Sequence, residues 1–545
     1  MSLFALLYIY IYAKMQIVNK TFLVTMFKIK EAVIMKKHSR LYKMLSVFSA
    51  LAITAPMFVS SASASVNDSS VGNPNYISYN QDFYNSNSEL CNTLIDSMEN
   101  LNSEIDVEKY QLSINDIKKA MRTVSEISPD LFYVSKTTYG LAIGSCVARV
   151  IPTYIYSNEQ IVQMRSELES KTNEILAKIQ PNMTDFQKAA IIHDEIVLNC
   201  EYSNSPDAQY TRTSVYDCIV NGYANCQGYT SSMSYLLEKV GINSEIVESS
   251  QMNHIWNLAE IDGNYYHIDA TFDDPTPDRY GFVSHKYFLL SDSAIKTSSD
   301  ISVHYGFKTN NSCTGTAYDN SYYKNLNTKF CYSNNIFYAA DNSNSGKNSK
   351  KLVAFNPETG YAEPVADISD KWYTNGGLSY WHDSFVSTDE YNGNIYFNLN
   401  NFVCKYNTAN GTVTQVTNKI NTSNYAYIYG MKVDNDGNFL ADVKKSPLDD
   451  ANIIKLNVLP ENKQEKLDIG FGKVNTDLLI PPKFLLGDIN EDGKLSILDV
   501  TLLQMICTNS LDAKESQKLA ADYNADGQID VNDATALQIY ISKNS

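Results

Sequence analysis

The sequence predicts a multidomain chain: an α+β domain, then a β-rich middle region, then a small α-helical duplicated module at the C-terminus. Three observations carry this reading. Between Asp217 and Phe272 an apolar helix pattern is followed by two alternating runs joined by Asp262-Gly263, a helix packed beside a hairpin. Between about 325 and 460, short β-like runs alternate with Asn/Gly/Asp turns. Near the end, two oxygen-rich twelve-residue loops recur 34 residues apart, each followed by an apolar helix pattern. At 545 residues the chain is too long for one ordinary core. Its 39 tyrosines, with many Asn and Ser, favour β-rich, solvent-facing extracellular modules.

Residues 1–64 read as targeting. From Met35 a basic head (MKKHSRLYK) precedes the apolar run Met44–Val59 and the small-residue end Ala62-Ser63-Ala64, the three parts of a secretory signal. The run is shorter than the roughly 20 residues that span a bilayer, so no stable membrane insertion is expected. Met35 is the more natural start, with residues 1–34 an over-extended beginning or a further N-terminal membrane element. The formal net charge is −17; beyond residue 64 there are 36 basic and 60 acidic residues, or −24. Such a chain has no electrostatic reason to bind nucleic acid or an anionic membrane. All nine cysteines lie after the signal with no Cys-x-x-Cys pair, which argues against a thiolate zinc site and leaves disulfide pairing open.

The expected organisation is an N-terminal extension plus signal (1–64), an accessory α/β region (65–180), a catalytic domain (181–310), a β-rich repeat region (320–465), a linker (466–484) and the C-terminal module (485–545). Helices are expected near 87–103, over Ser113–Ser125, over Glu159–Ile179 and from a Thr184 cap to about Leu198; strands over Leu131–Val134 and Ile143–Tyr156. In the middle region three echoing pieces start at Asn335, Asn394 and Asn438. They are similar to propeller-like hairpin repeats, with a meander or sandwich equally compatible.

Cys226 falls at the head of the helix pattern Met233, Leu236, Leu237 and Val240, which Gly241 closes. Unpaired N–H groups and the helix dipole there favour a thiolate and can hold an oxyanion. A buried cysteine packed at a helix start is the bland alternative. With Ile261 paired to Asn264 across the turn, Asp269 lies opposite Trp256 and His254 opposite Thr271, which makes His254 and Asp269 diagonal neighbours on one face. An imidazole that exchanges protons with sulfur and a carboxylate that orients it are what thiolate catalysis needs. His267 reads as structural, His193 as a packing histidine, Asn253 and Trp256 as shaping the cleft; His285 and Cys218 carry no argument of their own.

Residues from about 184 to 290 resemble the transglutaminase-like superfamily of cysteine enzymes. The resemblance rests on DFQKAAIIHDEIVLNCEY, VYDCIVNGYANCQGYTSSMSYLLEKVGI, NHIWNLAEIDGNYYHIDATFDDP and HKYFLLSD. It implies a papain/transglutaminase-like α+β catalytic fold with the family's Cys on Cys226, His on His254 and Asp on Asp269. Ala224 stands where Val is commoner. The resemblance also implies a thioacyl intermediate on protein or peptide amides and no catalytic cofactor, with peptidase, amidase or crosslinking chemistry left undecided.

In the first C-terminal loop Asp488, Asn490, Asp492, Ser496 and Asp499 supply oxygens at positions 1, 3, 5, 9 and 12, with Gly493 at the sharp turn and a Lys494 carbonyl between. The second repeats this with Asp522, Asn524, Asp526, Gln528, Asp530 and Asp533. Two Ca2+ ions are expected. The duplicated loop-plus-helix resembles a dockerin of cellulosomal type. That implies docking onto a cohesin module of a scaffoldin in a polysaccharide degradation system, through Ile497, Leu498, Val531, Asn532 and adjacent helices, and a secreted, cellulosome- or cell-surface-associated protein. The alternative is a non-catalytic cellulosome-associated binding or structural protein with a degenerate transglutaminase-like domain.

Overall fold

The computed structural model describes residues 81–142, 146–203, 212–299, 301–342, 350–357, 361–374, 377–474, 486–490, 495–511, 513, 515–524 and 528–544. The signal segment, most of the linker, and Asp492, Gly493, Lys494, Asp526 and Gly527 lie outside the described residues. The chain divides into two units, residues through 315 with 446–452, and 316–445 with 453–545.

In the first unit, side-chain caps mark where most helices start. After the short helix Gln81–Ser86 come helices α1 (Ser88–Glu99) and α2 (Ile114–Ile127), the latter opened by a Ser113–Asp116 capping box. Strands β1 (Val134–Leu141) and β2 (Val147–Tyr154) pair antiparallel. The strand expected from Leu131 begins only at Val134, because tight turns bond Leu131 N–H to Ser128 O and Val134 N–H to Leu131 O. Helices α3 (Asn158–Leu176) and α4 (Asp185–Asn199) follow, both opened by capping boxes, Ser157–Gln160 and Thr184–Gln187. Helix α4 is buried on every face from Ala189 to Val197, which makes it a core helix rather than an amphipathic one.

Short helix α5 (Val215–Ile219) leads into α6 (Cys226–Lys239). Gly241, at φ +79°, ends α6, and Ile242 N–H returns to Leu237 O as in a Schellman closure. The sheet that carries the site is an antiparallel meander of β3 (Ser244–Ser249), β4 (His254–Ile261), β5 (Asn264–Ile268) and β6 (Phe288–Leu290), in that order. Asp262 and Gly263 both take positive φ, the type I′ requirement that fixes the Ile261↔Asn264 pairing. Helices α7 (Ala270–Asp273) and α8 (Asp292–Thr297) flank β6 in sequence. Val247, Trp256, Leu258, Tyr287, Leu290 and Ile295 form the core under this sheet.

The second unit holds four antiparallel sheets among the described residues: a pair, Tyr373–Thr374 with Ser379–Tyr380, and three larger ones, the second of which also takes Lys466–Leu467 at its edge. The larger ones are β7 (Cys331–Ser333) to β10 (Ala362–Asp367) through β8 (Ile336–Asp341) and β9 (Lys351–Phe355); β11 (Thr388–Tyr391) to β14 (Val413–Gln415) through β12 (Asn394–Asn398) and β13 (Val403–Tyr406); and β15 (Tyr427–Val433), β16 (Phe439–Lys444) and β17 (Ile453–Lys455). The echoing pieces are the hairpins of these sheets, two of them turned by Asn334-Asn335 and Asn392-Gly393 at positive φ. At the C-terminus, α9 (Ile497–Cys507), α10 (Glu515–Ala521) and α11 (Val531–Asn544) close around Ile489, Val500, Leu503, Ala520, Ala534 and Leu537. No described helix is long and apolar enough to cross a membrane.

Candidate active site

Cys226 is the first residue of α6 and half-buried. Asn225 caps the helix, its Oδ1 accepting the N–H groups of Gln227 at 3.0 Å and Gly228 at 3.4 Å. The helix head is pressed close to its lead-in. A Cβ at Gly228 would stand 2.6 Å from the Ala224 Cβ and 3.2 Å from the carbonyls of Arg212 and Ser214. Three hydrogen bonds stitch the start of α6 to β4. Asn257 Nδ2 donates to Thr230 O at 3.1 Å and Ser234 Oγ at 2.8 Å, and Thr230 Oγ1 donates to Ile255 O at 3.1 Å. His254 opens that same strand, so the stitching sets the helix head against the imidazole.

His254 is buried, and its Nε2 lies 2.6 Å from Asp269 Oδ2. That contact is not made across the ladder as the sequence register implies. Pairing of β4 with β5 ends at Asn257↔Ile268, and the strand opposite His254 is β3, through Ser249. Asp269 has left the strand to cap α7: its N–H bonds Tyr287 O, and its Oδ1 accepts from Thr271 and Phe272 N–H, each at 3.1 Å. With Nε2 engaged by the carboxylate, Nδ1 is the ring nitrogen left for the sulfur. Burial works against protonation of His254. The Asp269 charge and hydrogen bond outweigh it, helped by a hydrogen bond with Cys226, and push the imidazole up to about 10. Burial would raise the Asp269 carboxyl, but the His254 charge and hydrogen bond, with His304 added, hold it well below the usual carboxylate range. A sulfur at a helix head, an imidazole facing it and a dry carboxylate behind can exchange a proton and hold an ion pair.

The neighbouring groups fix the imidazole in place. Trp256 stacks on His254 with ring centroids 5.6 Å apart and 18° between planes. Its indole N–H donates to His267 Nδ1 at 2.9 Å, and His267 Nε2 lies 3.1 Å from Asp292 Oδ1. Burial leads the shift of His267, lowering its proton affinity, so it stays neutral and presents Nδ1 as acceptor. Asn253 precedes the strand at φ +50°.

His304 is the member that sequence reasoning missed. Its Nε2 lies 2.8 Å from the same Asp269 Oδ2, and it is fully buried. Five of the seven histidines belong to this unit, are buried and aim Nε2 at an aspartate. His193 is more than a packing residue. Its Nδ1 lies 3.0 Å from Asp194 and its Nε2 3.2 Å from Asp273, while His285 reaches Asp194 at 2.8 Å. Burial opposes a charge on His193, yet the two carboxylates push it up to about 9. Three such groups have ligand atoms within 4.8 Å of one another: His193, Asp194, His285; His254, Asp269, His304; and His267, Asp292, Cys313. In each, the imidazoles already find carboxylate partners. Cys218 is buried in α5; Cys91, Cys200, Cys313, Cys331 and Cys404 are buried and pushed up by loss of solvent.

The C-terminal loops repeat one hydrogen-bond scheme. Asp499 Oδ1 accepts from Asn490 N–H at 3.1 Å and Oδ2 from Ser496 N–H at 2.9 Å. Asp533 does the same with Asn524 at 3.0 Å and Asp530 at 2.9 Å. Asp488, Asp499 and Asp533 are buried, and Asp522, Asn524 and Gln528 stand in the second loop. Ile497, Leu498, Val531 and Asn532 are all exposed on the first turns of α9 and α11.

Residues 173–270 match the family model of the transglutaminase-like superfamily, and residues 486–542 match the dockerin type I domain. Among solved structures, the chain is similar to a TGase (11% identity, TM-score 0.19, covering 25% of this chain and 44% of that one). It is also similar to a candidate cysteine protease from Cytophaga hutchinsonii (22% identity, TM-score 0.17, 24% and 53%). A third similarity is to a candidate protease from Parabacteroides distasonis (16% identity, TM-score 0.16, 24% and 29%). The chain thus spans about half or less of each matched chain. No curated protein sequence matches it. The protein joins a transglutaminase-like segment to a C-terminal dockerin.

Proposed function

We propose that the chain is a secreted cysteine enzyme that forms a thioacyl intermediate on protein or peptide amides and is carried on a scaffoldin by its dockerin. The observation that carries the reading is the buried His254–Asp269 pair, 2.6 Å apart, with His254 on the strand stitched to the helix that Cys226 opens. In the proposed reaction the Cys226 thiolate attacks the amide carbonyl carbon. The Cys226 N–H, at the helix head beside the two N–H groups that Asn225 takes, donates to the oxyanion. The His254 imidazolium gives its proton to the leaving amine as the C–N bond breaks. Water then attacks the thioester, giving its proton to His254, and the acid leaves as the thiolate re-forms. Hydrolysis is the preferred outcome because water is always at hand; an amine in its place would give crosslinking. Asp269, an anion throughout, keeps the imidazole oriented.

The dockerin half of the reading rests on the repeated loops. Asp488, Asn490, Asp492, Lys494, Ser496 and Asp499, and Asp522, Asn524, Asp526, Gln528, Asp530 and Asp533, form a hard, oxygen-only donor set with a net negative charge, which fits Ca2+. Ile497, Leu498, Val531 and Asn532 offer an exposed, largely apolar strip for a cohesin. The test incubates wild type and C226A with a peptide library, with and without an amine donor. Fragment release, deamidation or amine incorporation that vanishes in C226A supports the enzyme and identifies the acceptor. Turnover equal in both proteins, or absent from the wild type, sinks it.

A further inference from the structure

His304 has a fixed place and an unusual pair of neighbours. Its N–H bonds Ile295 O at 2.8 Å, which ties it to α8. Its ring is enclosed by Trp256 at 4.7 Å, Phe272 at 4.9 Å and Tyr287 at 5.5 Å between centroids. The Tyr287 hydroxyl accepts from Ser302 N–H at 2.7 Å, holding the loop that carries the ring.

Both ring nitrogens then face acceptors. Nδ1 lies 3.1 Å from the Ser302 carbonyl, and Nε2 lies 2.8 Å from Asp269 Oδ2. A neutral imidazole has one N–H and could serve only one of them; an imidazolium serves both. Asp269 cannot be the donor without giving up its own bonds, since its oxygens already accept from Thr271 N–H, Phe272 N–H and His254. The ring centroids of His254 and His304 are 5.7 Å apart, and one carboxylate oxygen lies between them.

We infer that His304 is a cationic positioning residue: it shares the Asp269 carboxylate with His254, so that one buried carboxylate is faced by two imidazole rings. This rests on the reading of Cys226 as the nucleophile. Two consequences follow from Coulomb's law. The extra positive charge favours the Cys226 thiolate, so nucleophilic sulfur persists to lower pH. It also loosens the hold of Asp269 on the His254 proton, which must be given to the leaving amine. A lone histidine–aspartate pair would hold that proton more tightly. The groups that face His304 are Asp269 and Phe272 from the α7 end, His254 and Trp256 from β4, Tyr287 from beside β6 and the Ser302 carbonyl. Asp269 is the carboxylate among them, and His267, on β5, is within electrostatic reach and neutral.

The experiment follows alkylation of Cys226 by iodoacetamide against pH, site-resolved by mass spectrometry, in wild type, C226A and H304Q. Glutamine keeps a neutral N–H for Asp269 and removes the charge. A nearby unit charge at an intermediate effective dielectric shifts the acid limb by about one pH unit. In H304Q that limb moves up by this amount, with labelling near pH 6 slowed about tenfold. A wild-type limb in H304Q overturns the role of His304 and leaves the nucleophile standing. Cysteine labelling that is the same in wild type and C226A removes the nucleophile, and the role of His304 with it. Should H304Q fail to fold, 15N NMR of histidine-labelled wild type decides: both His304 nitrogens protonated at neutral pH supports the inference, and a single tautomer overturns it.

Discussion

The two ends of this protein handle buried charge in opposite ways. Around Cys226, Asp269 is met by His254 and His304, and Asp194 and Asp273 by His193 and His285. Each carboxylate has its cation or proton donor in the fold itself. The C-terminal loops are rich in carboxylates, and Lys494 is the one basic residue in their two twelve-residue stretches. Asp499 and Asp533 are held by backbone N–H groups from three and nine residues earlier, with no described histidine near them. A burial with internal counterions makes a preorganised centre whose state depends on protons. A burial without them makes a module whose state depends on a cation from solvent. The comparison therefore says which variable each region should answer to.

The largest expected effect is in the first region. D269N keeps the shape of the side chain but removes the charge that holds the His254 proton, and kcat/KM on a peptide amide should fall by about 10³-fold or more. A loss under tenfold would break the claim that the carboxylate matters as an anion. Next comes calcium removal. Chelation should weaken binding to a cohesin module by about 100-fold or more and lower the helical signal of α9 and α11, while leaving amide turnover on a small peptide unchanged. Calorimetry and circular dichroism check the first part, steady-state rates the second. Equal loss of both activities would contradict the division of labour.

The smallest effect is a slope. His254 is raised to about 10 and His193 to about 9. Below the unfolded value of about 6.5 both states hold these protons, and the stabilisation is complete. As pH rises through the folded values it is lost, at up to about 1.4 kcal/mol per pH unit for each group. Asp269, held low, acts in the other direction: its contribution is present above about 3.9 and lost as pH falls through its folded value. Urea unfolding of wild type should therefore show falling stability from pH 7 to 9, and H254Q a shallower fall. Parallel slopes would show that His254 does not carry the linked proton.

Much of both regions was legible from sequence because local rules fixed it. The Thr184 cap requires a side-chain oxygen, and the Gly241 stop and the Asp262-Gly263 turn require positive φ; each position meets its requirement. The spacing of oxygens in the two loops was equally local. Two features were not local. Asp269 leaves the hairpin because Tyr287, just before β6, takes its N–H and because its own carboxylate caps α7. A two-strand register carries no information about either. His304 sits in Ser302-Val-His-Tyr, with no periodicity to mark it, and its partner lies 35 residues earlier. The signal that could have found it is a count: a chain poor in histidine that places five of seven between residues 193 and 304 is set to bury some, and a buried imidazole needs a polar partner. Asn257, which stitches helix to strand, reads as an ordinary strand residue until its partners Thr230 and Ser234 are seen.

The central claim is that the sulfur at the head of α6 carries the acyl group. The direct measurement is intact-protein mass spectrometry of enzyme quenched in acid during turnover of a reactive peptide ester, with the adduct mapped by digestion. The account expects one acyl mass on Cys226, lost in C226A and cleared by added amine or by time. An adduct on another cysteine, or one that persists in C226A, would contradict it.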